Sequence, residues 1–215
     1  MKNERIKIPK YNLTEELINS ISHGIFAGIS IALLVLLVVK AHGAKSEVSV
    51  SLFGSSMIIL YTISCIYHAL SPNILGKKVL RVIDHSNVYI LVFCTYLPIS
   101  FIAIGGLLGW IIFTILLIVT IAGIITTSIN IEKFQKLEVI CHLINGWGSL
   151  IFIKILLESM GKEGVLFLIL GGFFYTIGAI LYGLGSKKKY MHSVFHFFCM
   201  LGTFFHFLTI YFFVI

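Results

Sequence analysis

The sequence has little charge: only 12% of its 215 residues are Asp, Glu, Lys or Arg, whereas 58% are hydrophobic. Its mean hydropathy is +1.02. A soluble domain with this composition could not cover its surface with polar side chains, because folded proteins keep charged groups mainly on the outside. The apolar residues also come in long blocks, which is typical of membrane-spanning helices. The composition therefore predicts one all-α, multi-pass membrane domain covering residues 1–215.

CxxC pairs and a basic stripe are also missing, and no secretory signal is expected. The four cysteines lie inside apolar blocks and form no CxxC pair, so a packing role is favoured over disulfides or thiolate metal ligands. The net charge of +7 comes from short clusters between apolar blocks, with no basic stripe of interleaved aromatics. We therefore expect contact with anionic lipid rather than with nucleic acid. The first apolar block is too long for a secretory signal and is expected to be retained.

Seven blocks are long enough to cross ~30 Å of hydrocarbon at about 1.5 Å per residue. The third and fourth are separated only by Gly105-Gly106, which predicts a tight turn. Together they are too long for one crossing, so two helices are predicted. The seven predicted spans are Ile21–Val39, Val48–Leu70, Val82–Ile104, Leu107–Thr127, Leu137–Leu157, Val165–Leu184 and Tyr190–Ile215.

Lys and Arg are distributed unequally between the two sides that these spans define. The side that carries the N-terminus holds 12 of the 16 basic residues, and the other side holds 4. The positive-inside rule therefore predicts a cytoplasmic N-terminus, an extracytoplasmic C-terminus and location in the cell (plasma) membrane. With this orientation, residues 1–20 are predicted to form a cytoplasmic segment. Within it, Thr14 followed by Glu15 and Glu16 predicts the capped start of an interfacial helix that leads into the first crossing.

Histidines are concentrated at one membrane face. Six of the eight lie near predicted cytoplasmic helix ends, which is more than scatter would give. The clearest pattern is His192-x-x-x-His196, because a spacing of four puts both imidazoles on one helix face, as in helical metal sites. The alternative is a pair of interfacial histidines that bind lipid or water. The six are His23, His68, His85, His142, His192 and His196.

Two further patterns lie at the same predicted membrane depth as His192 and His196. Ser64-x-x-x-His68 ends the predicted second helix, and Asp84 opens the third. Three imidazoles could then bind a metal and leave one position for water, which is the pattern of catalytic zinc. Zinc would lower the pKa of that water to ~7, while Asp84 held it and Ser64 contacted the water or a substrate carbonyl. The alternative for Asp84 is a salt bridge with Arg81 or a lysine.

Other histidines carry weaker predictions. Glu138 and His142 are one turn apart and could simply pair with each other. His23 is expected to cap the first helix rather than to line the same vestibule. His206 lies about 15 Å along the helix from His196, so packing is expected rather than metal binding.

Taken together, these residues resemble the hemolysin III family, the bacterial branch of the progestin and adiponectin receptor (PAQR) superfamily. The resemblance covers essentially the whole chain. It rests on the seven spans, on the patterns above, on the opening Glu15-Glu16-x-x-Asn19-x-x-x-His23-Gly24, and on Gly172-x-x-Tyr175-Thr176-x-Gly178-Ala179-x-x-Tyr182. It implies zinc held by His68, His192 and His196, with Asp84 on the bound water and Ser64 nearby. It also implies kinship with alkaline ceramidases, which cleave lipid amides.

Three functions follow as hypotheses. The first is a zinc-dependent hydrolase that acts on an amide or ester of a membrane lipid. The second is a receptor or membrane sensor in which zinc only ties helices together. The third is the pore-forming cytolysis that the family name implies, although the sequence contains no amphipathic insertion segment. The open site with a carboxylate favours the enzyme, since structure alone does not need it. The substrate, the native metal and the oligomeric state stay open, and iron or manganese also suits three imidazoles.

Overall fold

A computed structural model describes residues 6–185 and 188–215, and this part of the chain is entirely helical or loop. The prediction of an all-α protein is therefore confirmed. Two helices continue into short π-helical ends, and a 3₁₀ turn links two others. The elements are α1 (Leu13–Lys40), α2 (Ala44–Ala69), α3 (Leu75–Pro98) with π-helix Ile99–Ile104, α4 (Gly106–Gly148), the 3₁₀ turn Ser149–Phe152, α5 (Ile153–Gly185), and α6 (Met191–Thr209) with π-helix Ile210–Val214.

The first helix starts earlier than expected. The side chain of Asn12 accepts a hydrogen bond from the backbone N–H of Glu15 at 2.9 Å, and the Glu15 carboxylate accepts one from the N–H of Asn12 at 3.0 Å. This reciprocal capping box satisfies two free donors of the first turn. The prediction that Thr14 caps the helix is therefore wrong. The helical segment that was expected to lead into the first crossing is continuous with it, because α1 runs unbroken from Leu13 to Lys40.

The predicted turn at Gly105-Gly106 is confirmed. Both residues have positive φ, 71° and 56°, a conformation that glycine adopts without the steric cost of a Cβ atom. The π-helix that continues α3 ends here, and α4 begins at Gly106. Close packing follows the turn, since a Cβ on Gly109 would clash with the backbone oxygen of Ser100.

Five helical stretches in the described chain are long and apolar enough to cross a membrane. One of them, Gly106–Gly185, is 80 residues long. Non-helical backbone interrupts it at Asn130 (φ −160°, ψ 89°) and at Gly161 (φ 69°, ψ 179°). The chain is therefore an integral membrane protein with several spans. The count of seven stays a prediction.

The helices pack largely in chain order. Each of α1, α2 and α3 packs on the next helix, α5 packs on α6, and α6 returns to α1. The largest core cluster includes Phe53, Met57, Tyr61 and Ile210, all with 0% exposed surface. Many Ile, Val, Leu and Phe side chains face outward instead, as expected for helices whose surroundings are lipid. The four cysteines are free, in agreement with a packing role.

Candidate metal centre

Three buried histidines converge from two helices. His68 comes from the last turn of α2, and His192 and His196 lie on the first turns of α6. Each offers one ring nitrogen, and the three nitrogens lie within 4.8 Å of one another. The Nε2 atoms of His192 and His196 are 2.9 Å apart, because residues four apart in a helix lie on the same face. The structure thus brings together the three imidazoles that the sequence predicted as metal ligands.

The protonation pattern of His68 suits a metal ligand. Its Nδ1 lies 2.6 Å from a carboxylate oxygen of Glu16. A carboxylate only accepts, so Nδ1 carries the proton and Nε2 keeps its lone pair. Within the described chain, Nε2 is buried and has no hydrogen-bond partner. A buried acceptor without a partner is costly, and a metal ion at the centre of the three imidazoles would satisfy it.

His23 belongs to the same cluster. It is 5% exposed and lies well inside α1, so the expectation that it caps the helix is wrong. Its ring stacks on the ring of His196 with centroids 4.0 Å apart and meets Tyr61 edge-on at 5.1 Å. The vestibule interpretation is the correct one for this residue.

Asp84 and Ser64 line a cavity whose wall also includes His23, His192 and His196. The cavity has a volume of about 180 Å³ and reaches from His192 to Leu168 and His206. The Ser64 side chain approaches the Asp84 carboxylate. The alternative salt bridge of Asp84 with Arg81 is not formed, because Arg81 pairs with Glu132. Most of the deeper wall is apolar, with Leu60, Val88, Leu91, Val92, Ile99 and Leu143 among its residues.

A carboxylate and two imidazoles form a second polar group on the cavity wall. Glu138 is 5% exposed, and its two oxygens lie 3.0 and 3.1 Å from Nδ1 of His85. Nε2 of His142 lies 3.7 Å from the same carboxylate. The predicted pairing of Glu138 with His142 is therefore the looser of two contacts, and the closer one comes from His85 on α3.

The residues just before α1 cover the histidines. Tyr11 stacks on His192 with ring centroids 4.7 Å apart and an interplanar angle of 15°. Burial is the largest cause of a raised pKa for the Tyr11 phenol, so it stays neutral. The Glu15 carboxylate accepts the backbone N–H of Tyr190 at 2.6 Å, directly before α6. Tyr11 and the first turn of α1 are thus fastened to the start of α6.

Sequence reasoning missed Glu16 and its partner Lys77. Lys77 has 0% exposed surface, and its ammonium lies 2.5 Å from the Glu16 carboxylate. The spacing carried a signal, because Glu16, Asn19 and His23 are three and four residues apart and therefore share one polar face of the helix. A polar face in a membrane helix is expected to point into the bundle.

Comparison with known proteins agrees with this arrangement. The family model described as Haemolysin-III related matches residues 11–207. Hemolysin-3 of Bacillus cereus is 35% identical over 205 residues, which cover 94% of this chain and 92% of the relative. A Hemolysin-3 homolog of Bacillus subtilis (strain 168) is 33% identical over 196 residues, 90% and 91% of the two chains. No solved structure matches significantly. The chain therefore belongs to the haemolysin-III-related family.

Proposed function

We propose that this protein is a zinc-dependent hydrolase that cleaves an amide or ester bond in a membrane lipid. The observation that carries the proposal is the convergence of three buried imidazoles, two of which, His192 and His196, line a cavity that Asp84 and Ser64 also line. A site that only tied helices together would not need a carboxylate and a hydroxyl beside an open position.

Zinc is the ion that we propose for His68, His192 and His196. Three neutral imidazoles with a further position open are the ligand set of catalytic zinc sites. When bound, the ion would supply Lewis acidity and a water of lowered pKa. The three donors are imidazole nitrogens of buried side chains. Magnesium and calcium prefer oxygen ligands, so these donors favour zinc over either ion.

The remaining chemistry falls to residues of the chain. We assign Asp84 the role of holding the attacking water and accepting its proton. Ser64 donates a hydrogen bond to the substrate carbonyl, where negative charge develops. His85, held by Glu138 through Nδ1, carries a proton on both ring nitrogens in this proposal and gives the one on Nε2 to the leaving amine or alcohol. The apolar wall of the cavity accommodates the acyl chain of the lipid.

The substrate enters sideways between helices in this proposal. Tyr11 lies against His192, and the Lys7 backbone is bonded to Arg81 and Glu132. These contacts cover the cytoplasmic approach to the histidines. A membrane lipid already lies beside the helices and does not need that route. The lipid is therefore the partner that we propose, and no nucleic acid is part of this function.

We also propose seven crossings in one domain of residues 1–215, with the N-terminus cytoplasmic and the C-terminus outside. The breaks at Asn130 and Gly161 divide the 80-residue stretch into three pieces, each longer than the ~20 residues that a span needs. Hydrogen bonds at the two ends of the bundle support an odd number of crossings. At the end with the N-terminus, the backbone N–H of Lys7 donates to Glu132 and that of Tyr190 donates to Glu15. At the other end Lys40 donates to the backbone oxygen of Tyr211.

Reporter fusions check this topology. A periplasmic alkaline phosphatase fused after Ile215 should be active and a fluorescent protein at the same position should be dark, because that end is expected outside. Fusions within residues 132–136 should give the reverse. A cytoplasmic signal from the C-terminal fusion would contradict an odd number of crossings.

The hydrolase proposal is tested with purified protein in nanodiscs that contain phospholipids and N-acyl lipids. We expect the zinc-loaded protein to release fatty acid from at least one lipid class, as measured by mass spectrometry. Chelation should stop the release, and added zinc should restore it, because the water is activated at the ion. Release that continues without metal, or stoichiometric zinc with no release from any lipid, would contradict the proposal.

A second candidate is membrane lysis, which only the relatives' names favour, since both are called Hemolysin-3 or its homolog. The same preparation distinguishes the two functions. Leakage of a dye from protein-free vesicles after the protein is added, with no lipid product, would favour lysis. Released fatty acid with intact vesicles would favour the enzyme.

A further inference from the structure

Glu16 connects the metal centre to a buried lysine. Its Oε2 atom lies 2.6 Å from Nδ1 of His68, and its Oε1 atom lies 2.5 Å from Nζ of Lys77. The three residues belong to three different helices: Glu16 to α1, His68 to α2 and Lys77 to α3. Each oxygen of the carboxylate thus has its own partner. The Glu16 carboxylate holds the His68 ring through its Nδ1 atom.

The contact between Glu16 and His68 decides which ring nitrogen faces the cluster. An imidazole can carry its proton on either nitrogen, and only the bare one binds a metal. The carboxylate requires the proton on Nδ1, so Nε2 is left as the free nitrogen, and it is buried and unpartnered within the described chain. The amide of Asn19 is a weaker competitor at 3.4 Å from Nδ1.

Lys77 keeps Glu16 charged and in place. A buried carboxylate needs a compensating cation, and Lys77 supplies one from a side chain with 0% exposed surface. The ammonium also donates to the backbone oxygen of Leu70 at 2.8 Å and lies 5.2 Å from the Tyr67 ring centroid. It is therefore fixed by three contacts, of which Glu16 is the charged one.

We propose that Glu16 is the positioning residue of the metal centre and that Lys77 acts through it. Glu16 sets the tautomer and the ring orientation of His68. Carboxylates bonded to metal-binding histidines commonly have this effect, and their loss lowers metal affinity about 10–100-fold. The inference rests on the proposed metal site but not on the proposed hydrolysis.

A charge-balanced double variant tests the role. Glu16→Gln alone would leave the Lys77 ammonium buried without its anion and so damage folding, whereas Glu16→Gln with Lys77→Met removes both charges together. We expect this double variant to fold, with the melting temperature of the metal-free protein close to that of the wild type. Its dissociation constant for Zn²⁺, measured by competition with a chromophoric chelator, should rise about 10–100-fold. The absorption spectrum of Co²⁺ in the site should change with it.

The control is Glu158→Gln, which removes an exposed carboxylate remote from the histidines and should leave Zn²⁺ affinity unchanged. A folded double variant that binds Zn²⁺ within about threefold of the wild type, with the same Co²⁺ spectrum, would overturn the positioning role. Failure of the wild type to bind Zn²⁺ would overturn both this role and the metal site. Zinc binding without lipid cleavage would contradict only the hydrolase.

Discussion

His192→Ala should empty the metal centre. Wild-type protein is expected to carry about one zinc ion per chain, and the variant close to none, because two imidazoles hold zinc far more weakly than three. His192 is also the ligand whose ring stacks on Tyr11 and whose Nε2 lies 2.9 Å from that of His196. Its removal therefore opens the site as well as deleting a donor. Elemental analysis of the purified protein measures the result.

His42→Ala is the matched control for this experiment. His42 is an exposed histidine in the loop between α1 and α2, so the same substitution there should leave the zinc content at the wild-type value. His68→Ala should lower the zinc content as much as His192→Ala does, because each substitution removes one of the three imidazoles. The two residues reach the cluster from different helices, so the two variants test the site independently. Equal zinc in the wild type and in both cluster variants would show that the ion binds elsewhere.

Asp84→Asn should separate metal binding from chemistry. Asp84 is the only aspartate in the sequence, and it lines the cavity beside Ser64. The amide has nearly the same shape but cannot accept a proton from water. We expect zinc content to stay near the wild-type value while the turnover of the lipid substrate falls about 10²–10⁴-fold, the usual contribution of a general base.

Ser64→Ala gives the comparison for Asp84→Asn. Loss of one hydrogen bond to a developing oxyanion should lower turnover about 10²–10³-fold without changing zinc content. If Asp84→Asn loses zinc together with activity, Asp84 is a metal ligand rather than a base. If both variants retain zinc and full turnover, the catalytic roles are wrong. A protein that binds zinc and never forms a product would favour the receptor or sensor function.

The depth of the functional residues can be predicted from the sequence. Hydropathy gives the approximate ends of a span, and the basic clusters give its direction. His68, Asp84 and His192 are therefore expected near one membrane face. The spacing of His192 and His196 places both on one helix face. These two rules are enough to predict that the three imidazoles lie at one depth, whereas their meeting also requires that α2 and α6 turn the right faces toward each other.

The rotation of each helix about its own axis cannot be predicted in the same way. Helices that are apolar all round carry no periodic signal of which side faces the bundle. Contacts such as Glu16 with His68, or His85 with Glu138, depend on that rotation and join residues that are distant in sequence. His23 is an exception, because it shares one face of α1 with Glu16 and Asn19, and that polar face indicates the direction of its side chain.

The contact between Glu15 and the backbone of Tyr190 joins residues 175 positions apart. During synthesis the N-terminal segment leaves the ribosome first and has to wait for almost the entire polypeptide before this partner exists. His68 likewise waits for His192 and His196 on the last helix. Binding of the proposed ion would therefore be a final step of biogenesis, and a truncated chain that lacks α6 is expected to be inserted in the bilayer without a centre able to retain it.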